Sequence, residues 1–297
     1  MFLVNARLSE KSYRGYKRFG ILFSKIFASF KGVGVQNEAD AERLLQLGCN
    51  PAAVHVVGNL KFDAAKLDER RLLDVPALLR QLGVKEGAAI LVGGSTHAGE
   101  EAALARAYLG LKAKHPNLFL VIVPRHFERG KEAGQALAKL GVKFVYRSDV
   151  TASRKFESGA VQCLLVNSTG ELKYFYEHAS VIFVGKSLAA KGGQNPIEPG
   201  ALGKPMIFGP NMQNFEAVAR SFVTEQGAIQ VSGENELEPA IDRLLSDPQL
   251  RDKLGQNALK VVQQNRGAMD RTVDMIVAYL AEEDVYIAEK KERPPSQ

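Results

Sequence analysis

A glycine-rich loop between residues 184 and 215 carries the side chains best suited to bind an anion. Lys186 and Lys191 supply positive charge, while Gly192 and Gly193 let the backbone approach a ligand where a side chain would block it. We expect free backbone N–H groups in this loop, beside the start of a helix. The stretch therefore predicts a site for a phosphorylated ligand.

The helix start is marked by the tetrapeptide Asn195-Pro196-Ile197-Glu198. Asn195 would cap the helix, Pro196 would take its first position, and Glu198 could bond back to the cap. This pattern needs no ligand, so a purely structural role stays open. Beside the cationic loop, however, Glu198 could also accept hydrogen bonds from ribose hydroxyls.

Two further turns follow apolar runs and carry polar side chains. Gly93-Gly94-Ser95-Thr96-His97 could hold a phosphate through its amides and the hydroxyls of Ser95 and Thr96, although either hydroxyl could instead cap a helix. Arg125 follows Pro124 at the end of the next run, and its guanidinium group can bind phosphate through two hydrogen bonds. A surface salt bridge is the alternative for Arg125.

A fourth turn, Ser168-Thr169-Gly170-Glu171, contains a capping box that we expect to explain Glu171 by itself. In a doubly wound parallel sheet the carboxyl ends of the strands meet at one edge, so the four turns would lie close together. Together they predict a nucleotide held by its phosphate and its ribose.

The elements that position these turns are short apolar strands alternating with helices, which predicts an α/β fold with a doubly wound parallel sheet. The strands predicted beyond residue 60 are Ala89–Val92, Leu118–Val123, Phe144–Tyr146, Cys163–Val166, Val181–Val184, Met206–Phe208 and Ile229–Val231. Helices are predicted over about Asp68–Leu82, from about Gly99, around Lys131–Leu140, from Glu171, after Phe215, and from about Glu236, Pro248 and Met269.

The front of the chain has too few strands for a complete domain. Phe2–Val4, Gly32–Val35 and His55–Val57 are its apolar runs, and a parallel sheet needs more strands to protect its faces and edges. We therefore expect residues 1–60 to be the remnant of an N-terminal domain. Residues 61–297 are expected to form a nucleotide-binding domain whose last residues are disordered.

Composition narrows the classes of partner. The 297 residues are 45% hydrophobic and carry a formal net charge of +6, which suits anionic ligands. Tryptophan is absent and no basic run has aromatic residues arranged as a stacking groove requires, so we expect no nucleic-acid binding. Cys49 and Cys163 have no partners at metal-ligand spacing, so no metal, cofactor or disulfide is predicted.

A basic and aromatic segment near the N-terminus allows two interpretations. Aromatic residues at helical spacing alternate with cations: Tyr13, Tyr16, Phe19, Phe23, Phe27 and Phe30 with Lys11, Arg14, Lys17, Arg18, Lys25 and Lys31. Such a helix could lie on an anionic membrane or pack on its own domain, and we favour the packed helix. No apolar run here reaches the roughly 20 residues that a membrane-spanning helix needs.

The motifs NARLSEKS, GNLKFD, GGSTHAGEE and VPRHFER precede the stretch Val184 to Phe215. In this order they resemble the Kdo (3-deoxy-D-manno-octulosonic acid) transferases, over about residues 1 to 220. The resemblance implies a two-domain GT-B glycosyltransferase, inverting and metal-independent, that transfers Kdo from CMP-Kdo to a lipid A precursor during lipopolysaccharide synthesis. It also implies a peripheral location at the anionic, cytoplasmic face of the inner membrane.

The resemblance further implies roles for single residues. Arg125 is expected to meet the phosphate of CMP, and Asn195 with Glu198 to lie near the ribose. The expected donor-binding residues are Ser95, Thr96, Pro124, Arg125, Lys186, Gly192, Gly193, Asn195 and Glu198. The catalytic base of the family lies in a Gly-Ala-Ser-Val-Gly-Glu motif that this sequence lacks, so we expect the base in an N-terminal part outside this chain.

Three positions depart from the family pattern. Asn167 stands where Asp is usual, Lys186 replaces the second glycine of a Gly-Gly-Ser, and Gln194 replaces a histidine. Because Asn167 removes a negative charge and Lys186 adds a positive one, we expect a more cationic donor pocket than in a typical member.

Three interpretations of the function remain, in decreasing order of preference. The first is a Kdo transferase of which this chain is a fragment, and the second is a non-catalytic remnant that binds CMP-sugars. The third is another GT-B sugar-nucleotide enzyme, such as a UDP-sugar transferase or epimerase. We expect this chain by itself to bind the donor and to transfer Kdo poorly.

Overall fold

In the computed structural model, which describes residues 1–63 and 73–281, short strands alternate with helices. The strands are β1 (Phe2–Ala6), β2 (Gly32–Val35), β3 (Val54–Val56), β4 (Ile90–Thr96), β5 (Phe119–Pro124), β6 (Phe144–Tyr146), β7 (Cys163–Leu165), β8 (Val181–Val184), β9 (Met206–Phe208) and β10 (Ile229–Gln230). The helices are α1 (Glu10–Arg18), α2 (Gly20–Ala28), α3 (Glu38–Gln46), α4 (Val75–Gln81), α5 (Glu100–Leu111), α6 (Gly130–Lys139), α7 (Leu172–His178), α8 (Ile197–Ala201), α9 (Glu216–Thr224), α10 (Leu237–Ser246), α11 (Pro248–Asn265) and α12 (Ala268–Ala281).

The chain forms two compact units. The small unit comprises Met1–Ala64 and Asn265–Gln297, and the large unit comprises Ala65–Gln264. The sequence predicted instead a boundary after residue 60, with the whole of 61–297 in one domain. The difference arises because α12 (Ala268–Ala281) packs with the N-terminal residues.

The sheet of the small unit has three parallel strands in the order β1-β2-β3. Helix α12 packs on this sheet: the Tyr279 ring lies 5.9 Å from the ring of Phe2 and 6.0 Å from that of His55. The start of α12 is capped from the other end of the sequence, because the Asp63 carboxylate accepts hydrogen bonds from the N–H groups of Gly267 (2.7 Å) and Met269 (2.6 Å). Local sequence could not indicate this pairing, since more than 200 residues separate the partners.

The basic and aromatic segment near the N-terminus is divided at Phe19 into α1 and α2. Five of its six aromatic side chains, those other than Phe19, lie in or pack against the hydrophobic core of the small unit. This favours the helix packed on its own domain. A different set of apolar side chains faces solvent, since Phe19 is 60% exposed, Ile21 93%, Leu22 68% and Ile26 46%.

The sheet of the large unit has seven parallel strands in the order β10-β9-β8-β4-β5-β7-β6. The predicted α/β fold with a doubly wound sheet is therefore confirmed. Strand β5 lies on one side of β4 and β8 lies on the other, so the strand order reverses between β4 and β8. In sheets of this kind ligands bind in the crevice at that reversal.

One predicted turn is part of a strand. Residues 93–96 continue β4, with Gly93 paired to Ile122 and Phe183 in the neighbouring strands. A Cβ at Gly93 would overlap Leu104, and one at Gly94 would overlap the Tyr176 hydroxyl. The two glycines are therefore explained by close packing against the sheet rather than by a turn.

Most other predicted elements agree with the structure to within one or two residues. The helix predicted over Asp68–Leu82 begins at Val75 among the described residues, and its predicted start lies outside them. The charged terminus from Glu282, where we predicted disorder at the end, also lies outside the described residues.

Candidate functional site

The candidate site lies where β4 and β8 end, at the reversal of the large sheet. The backbone N–H of Gly185 donates to the carbonyl of Gly94 (2.8 Å). A Cβ at Gly185 would lie 2.7 Å from the Cα of Thr96 and would overlap the carbonyl of Ser95. Because only glycine allows this approach, the end of β4 and the loop after β8 are held side by side.

Cationic and imidazole side chains surround this point. Arg125 is exposed directly after β5, and its backbone N–H donates to the last residue of β4 (3.0 Å). The rings of His97 and His126 lie 6.4 Å apart. Burial lowers the pKa of His97; the Ser95 carbonyl and the charge of Glu100 oppose this shift, and the positive charges of Lys186 and Arg129 add to it. This arrangement of charge favours an anionic ligand.

Thr96, predicted to bind the donor, points into the protein instead. Its side chain is fully buried, and its hydroxyl donates to Oε1 of Glu101 (2.9 Å). Pro124 is also buried, at the end of β5. Ser95 differs from both, because it is only half-buried and has a left-handed backbone (φ 52°). Of the two predicted hydroxyls, only that of Ser95 is therefore accessible to a ligand.

The prediction of free amides in the loop after β8 is wrong for Lys186, Gly192 and Gly193. The N–H groups of Lys186, Ser187 and Leu188 donate to the carboxylate of Glu100, at 2.7, 2.8 and 2.9 Å. The N–H of Gly192 donates to the Gln213 side chain (2.7 Å) and that of Gly193 to the Lys186 carbonyl (2.8 Å). The physical reason is that a loop packed into the protein must pair its own N–H groups.

The two loop glycines have backbone conformations that favour glycine. Gly192 and Gly193 both have positive φ, at 130° and 75°. A Cβ at Gly193 would lie 2.9 Å from the Cα of Met212, so a side chain there would be excluded as well as strained. Both residues therefore shape the loop through their backbone.

The helix start at Asn195 is shifted by one residue from the prediction. Helix α8 begins at Ile197, whose N–H donates to Oδ1 of Asn195 (3.0 Å), and Pro196 precedes it. Glu198 accepts from the side-chain amide of Asn195 (3.1 Å) rather than from its backbone. Asn195 and Glu198 are half-buried and form one hydrogen-bonded pair.

Tyr176 packs against the end of β4 and lies within the electrostatic influence of Glu198. It is almost fully buried, and its hydroxyl group occupies the space beside Gly94. Burial raises the pKa of Tyr176, and the nearby charge of Glu198 raises it further. Of the nine residues predicted to bind a donor, Thr96 and Pro124 are buried within strands, and the others follow or end β4, β5 and β8 or lie in the loop and helix after β8.

The turn after β7 also differs from the prediction. Helix α7 begins at Leu172, and the hydroxyl of Ser168 bonds the carboxylate of Glu171 instead of capping the helix backbone. Glu171 also pairs with Arg147 (3.1 Å). Asn167 accepts a hydrogen bond from the N–H of Ser148 (3.0 Å), so its amide is used to join two loops.

Two carboxylates and one guanidinium group at the site escaped the sequence reasoning. Glu100 and Glu101 are almost fully buried, and Arg129 donates to Glu101 (2.7 Å) and to the carbonyl of Thr96 (3.2 Å). The available signal was a pair of adjacent acids separated from a Gly-Gly-Ser-Thr run by only three residues. Acids in the first turn of a helix are common, however, because they offset its dipole, so their burial could not be foreseen.

The part of the chain that the structure describes contains neither a cluster of metal-binding side chains nor a membrane-spanning helix. Across residues 1–63 and 73–281, three or more His, Cys, Asp or Glu side chains never group as a metal site would require. Among the helices described, none combines the length and the apolar character needed to cross a membrane.

Comparison with known families gives two matches. Residues 1–64 match the family model described as 3-deoxy-D-manno-octulosonic-acid transferase, and residues 102–261 match glycosyl transferases group 1. A 3-deoxy-D-manno-octulosonic acid transferase from Haemophilus influenzae is 34% identical over 279 residues, which cover 94% of this chain and 64% of the relative. The resemblance to the Kdo transferases is therefore confirmed, and the chain spans 64% of the length of this relative.

Comparison with solved structures supports the same fold. The C-terminal CMP-Kdo binding domain of WaaA from Acinetobacter baumannii matches with 27% identity and a TM-score of 0.57, over 68% of this chain and 98% of that domain. MnaA from S. aureus in complex with UDP matches with 18% identity and a TM-score of 0.57, over 94% of this chain and 68% of that protein. The GT-B type of fold is confirmed, and the MnaA likeness is one of fold alone.

Proposed function

Because the chain belongs to the glycosyl transferases group 1 family, we propose that it binds CMP-Kdo and serves in the transfer of Kdo to a lipid A precursor. The observation that carries this proposal is the likeness to a CMP-Kdo binding domain, which extends over 98% of that domain. The crevice at the sheet reversal offers that donor a cationic site in the place where this class of sheet binds ligands.

In this proposal the phosphate of CMP lies beside Arg125 and Lys186. Arg125 is exposed at the end of β5, and the charge of Lys186 reaches His97 on the neighbouring turn. Side-chain cations are the suitable groups here, since the amides of residues 186–188 are already bonded to Glu100. Ser95 is the accessible hydroxyl beside them.

The ribose of CMP is proposed to lie at Asn195 and Glu198. The two side chains bond each other (3.1 Å), which holds the carboxylate in one orientation. A carboxylate fixed in this way can accept hydrogen bonds from the two ribose hydroxyls. Gly192 and Gly193 keep the adjoining loop close without placing side chains in the crevice.

The proposed reaction is a direct displacement. An acceptor hydroxyl forms a bond to the anomeric carbon of Kdo, the bond from that carbon to the CMP phosphate oxygen breaks, and CMP leaves with the bonding electrons. The acceptor proton passes to a base that we do not assign within this chain. Arg125 and Lys186 would stabilise the negative charge on the departing phosphate. We expect the reaction to be inverting and to need no metal.

Measuring nucleotide affinity by titration calorimetry tests the donor site. We expect CMP to bind more tightly than UDP, and Arg125→Ala to weaken CMP binding roughly 10- to 100-fold, because a charged hydrogen-bond donor to phosphate is lost. Arg220→Ala is the matched control, since Arg220 is exposed on α9 and pairs with Glu216. Equal affinity for UDP, or equal effects of the two variants, would contradict the proposal.

Transfer is tested separately from binding. CMP-Kdo carrying a radiolabel in its Kdo group is prepared in the reaction mixture. It is offered to the chain together with a lipid A precursor, with and without EDTA. Turnover that is unaffected by EDTA supports a metal-independent transferase. Tight CMP binding without turnover would support the second interpretation, a donor-binding chain that lacks transfer activity by itself.

We also propose that the small unit contacts the membrane that carries the lipid acceptor. Phe19, Ile21, Leu22 and Ile26 are exposed on α1 and α2 or between them, and exposed Lys and Arg residues flank them: Lys11, Arg14, Lys17, Arg18, Lys25 and Lys31. An exposed apolar surface bordered by cations suits an anionic membrane at the cytoplasmic face of the inner membrane.

Vesicle co-sedimentation tests the proposed contact between the small unit and a membrane. We expect binding to vesicles that contain phosphatidylglycerol, little binding to pure phosphatidylcholine, and a severalfold loss in the double variant Ile21→Ser with Leu22→Ser. Leu45→Ser removes an apolar residue that is 38% exposed on α3 and serves as the control. Equal sedimentation of both variants would refute the assignment of this surface.

A further inference from the structure

Glu100 makes an unusual set of hydrogen bonds for a carboxylate at the start of a helix. Its side chain is fully buried. Its two oxygens accept four backbone N–H groups: those of His97 (2.9 Å), Lys186 (2.7 Å), Ser187 (2.8 Å) and Leu188 (2.9 Å). One carboxylate thus joins the turn after β4 to the loop after β8, across 86 to 88 residues of sequence.

The bond to Lys186 holds a backbone conformation that is otherwise unfavourable. Lys186 has a φ of 54°, in the left-handed region where a residue with a Cβ is disfavoured. Its side chain runs past Gly192, where a Cβ would lie 3.3 Å from Cε of the lysine. The ammonium group is close enough to His97 to lower the pKa of that imidazole. Glu100 therefore fixes the point from which this cation projects.

We propose that Glu100 is a positioning residue for the phosphate subsite of the donor crevice and acts through Lys186. By accepting the loop amides, it removes them as phosphate ligands and leaves recognition of the phosphate to side-chain cations. Glu100 does not itself touch the ligand. This inference rests on the proposed binding of CMP. It further specifies that binding of the CMP phosphate depends on the conformation of the loop after β8.

The variant Glu100→Gln tests the inference because it keeps the size of the side chain. One end of the glutamine is an NH₂ group, which cannot accept the N–H donors that the carboxylate oxygen accepted. We expect CMP to bind about tenfold more weakly, while the affinity for cytidine, which has no phosphate, stays within about twofold. A loss that is equal for CMP and cytidine would overturn the proposal, as would tighter CMP binding.

A double-mutant cycle shows whether Glu100 acts through Lys186. Lys186→Gly removes the cation and also suits the left-handed backbone, so the loop should keep its shape. We expect Glu100→Gln to weaken CMP binding less in the Lys186→Gly background than in the unaltered chain. If the fold losses of the two single variants simply multiply in the double variant, the two residues act independently and the inference fails.

Two further variants keep the result interpretable. Asp40→Asn, in the small unit, alters a buried carboxylate that also accepts a backbone N–H, and it should leave the ratio of CMP to cytidine affinity unchanged.

If circular dichroism shows that Glu100→Gln does not fold, Glu100→Asp replaces it. We expect this variant to lose less affinity, and the loss should still be specific for CMP. Failure of the unaltered chain to bind CMP would refute the proposed function, whereas intact CMP binding by Glu100→Gln would refute only this inference.

Discussion

The two parallel sheets differ in how completely they are buried. In the large unit every residue of β5, β8 and β9 is buried, as expected when helices cover both faces. In the small unit only β2 is buried throughout, while Val4 in β1 is 44% exposed and Val56 in β3 is 41% exposed. The large unit thus has an extensive core of its own, and the small unit depends more on single contacts such as those of α12.

The candidate donor site follows from this difference. Its turns are attached to β4, β5 and β8, which are the central strands of the large sheet. Packing on both sides fixes where such strands end, and therefore where the polar groups project. The small unit instead presents exposed apolar side chains, which suit contact with a surface rather than precise positioning of a small ligand.

The largest expected contrast between the two units comes from removing a phenylalanine in each. Phe183 in β8 is fully buried, so Phe183→Ala should lower the free energy of unfolding by about 3–5 kcal/mol. Phe19 in the small unit is 60% exposed, and Phe19→Ala should change it by less than about 0.5 kcal/mol. Urea unfolding followed by circular dichroism measures both, and similar losses would contradict the contrast.

A glycine in each unit sharpens the comparison. Gly185→Ala places a Cβ 2.7 Å from the Cα of Thr96, which should cost about 1–3 kcal/mol through overpacking. Gly15 lies in α1, where an added Cβ would point into open space, so Gly15→Ala should stabilise the helix by about 0.5–1 kcal/mol. Thermal unfolding of both variants measures these opposite changes in stability. A loss of stability in Gly15→Ala would contradict the open space beside Gly15.

Helix caps give a smaller contrast. Asp63 accepts two backbone N–H groups at the start of α12, whereas Asp74 accepts one, from Ala77 (2.9 Å), at the start of α4. Asp63→Ala should cost about 1–2 kcal/mol and speed proteolysis within α12, while Asp74→Ala should cost about 1 kcal/mol without that effect. Limited proteolysis with mass spectrometry distinguishes the two, and unchanged cleavage in α12 would argue against the cap.

The smallest expected effect concerns surface charge. Hydrogen bonds from Lys114 and His115 hold the pKa of Asp242 at about 2, below its ordinary value of 3.8. This group therefore adds stability above about pH 4 that is lost as the pH falls towards 2. Asp242→Asn should remove that pH dependence at a cost of at most about 1 kcal/mol at neutral pH, which urea unfolding at a series of pH values measures. Glu10→Gln, which breaks the exposed pair with Arg14 in the small unit, should change stability less.

The sequence was informative wherever local pattern controls structure. Short apolar runs between polar turns identified β6, β8 and β9 to the residue, because buried parallel strands are continuously apolar. The order of motifs pointed to the Kdo transferases, and comparison with known families confirmed this. The residues proposed for the donor came from segments at strand ends, and the sheet places β4, β5 and β8 side by side.

Local pattern was misleading where a residue serves a distant partner. Gly93 and Gly94 suggested a turn, but both are part of β4. Glycine is needed at these positions because Leu104 and Tyr176 leave no room for a side chain. Thr96 suggested a ligand hydroxyl, but it donates to the buried Glu101. None of these three partners can be identified by spacing, since the same residue types occur in turns and in packed strands.

By itself, the amino-acid sequence determined the α/β class, most strand positions and the resemblance to the Kdo transferases, since these depend on periodicity and on motifs within short stretches. Only the tertiary structure decided that the sheet reverses between β4 and β8, that α12 joins the small unit, and that Glu100 occupies the loop amides. These features join groups 86 to more than 200 residues apart. Burial forces such polar groups to find partners, but folding in three dimensions decides which partner each one meets.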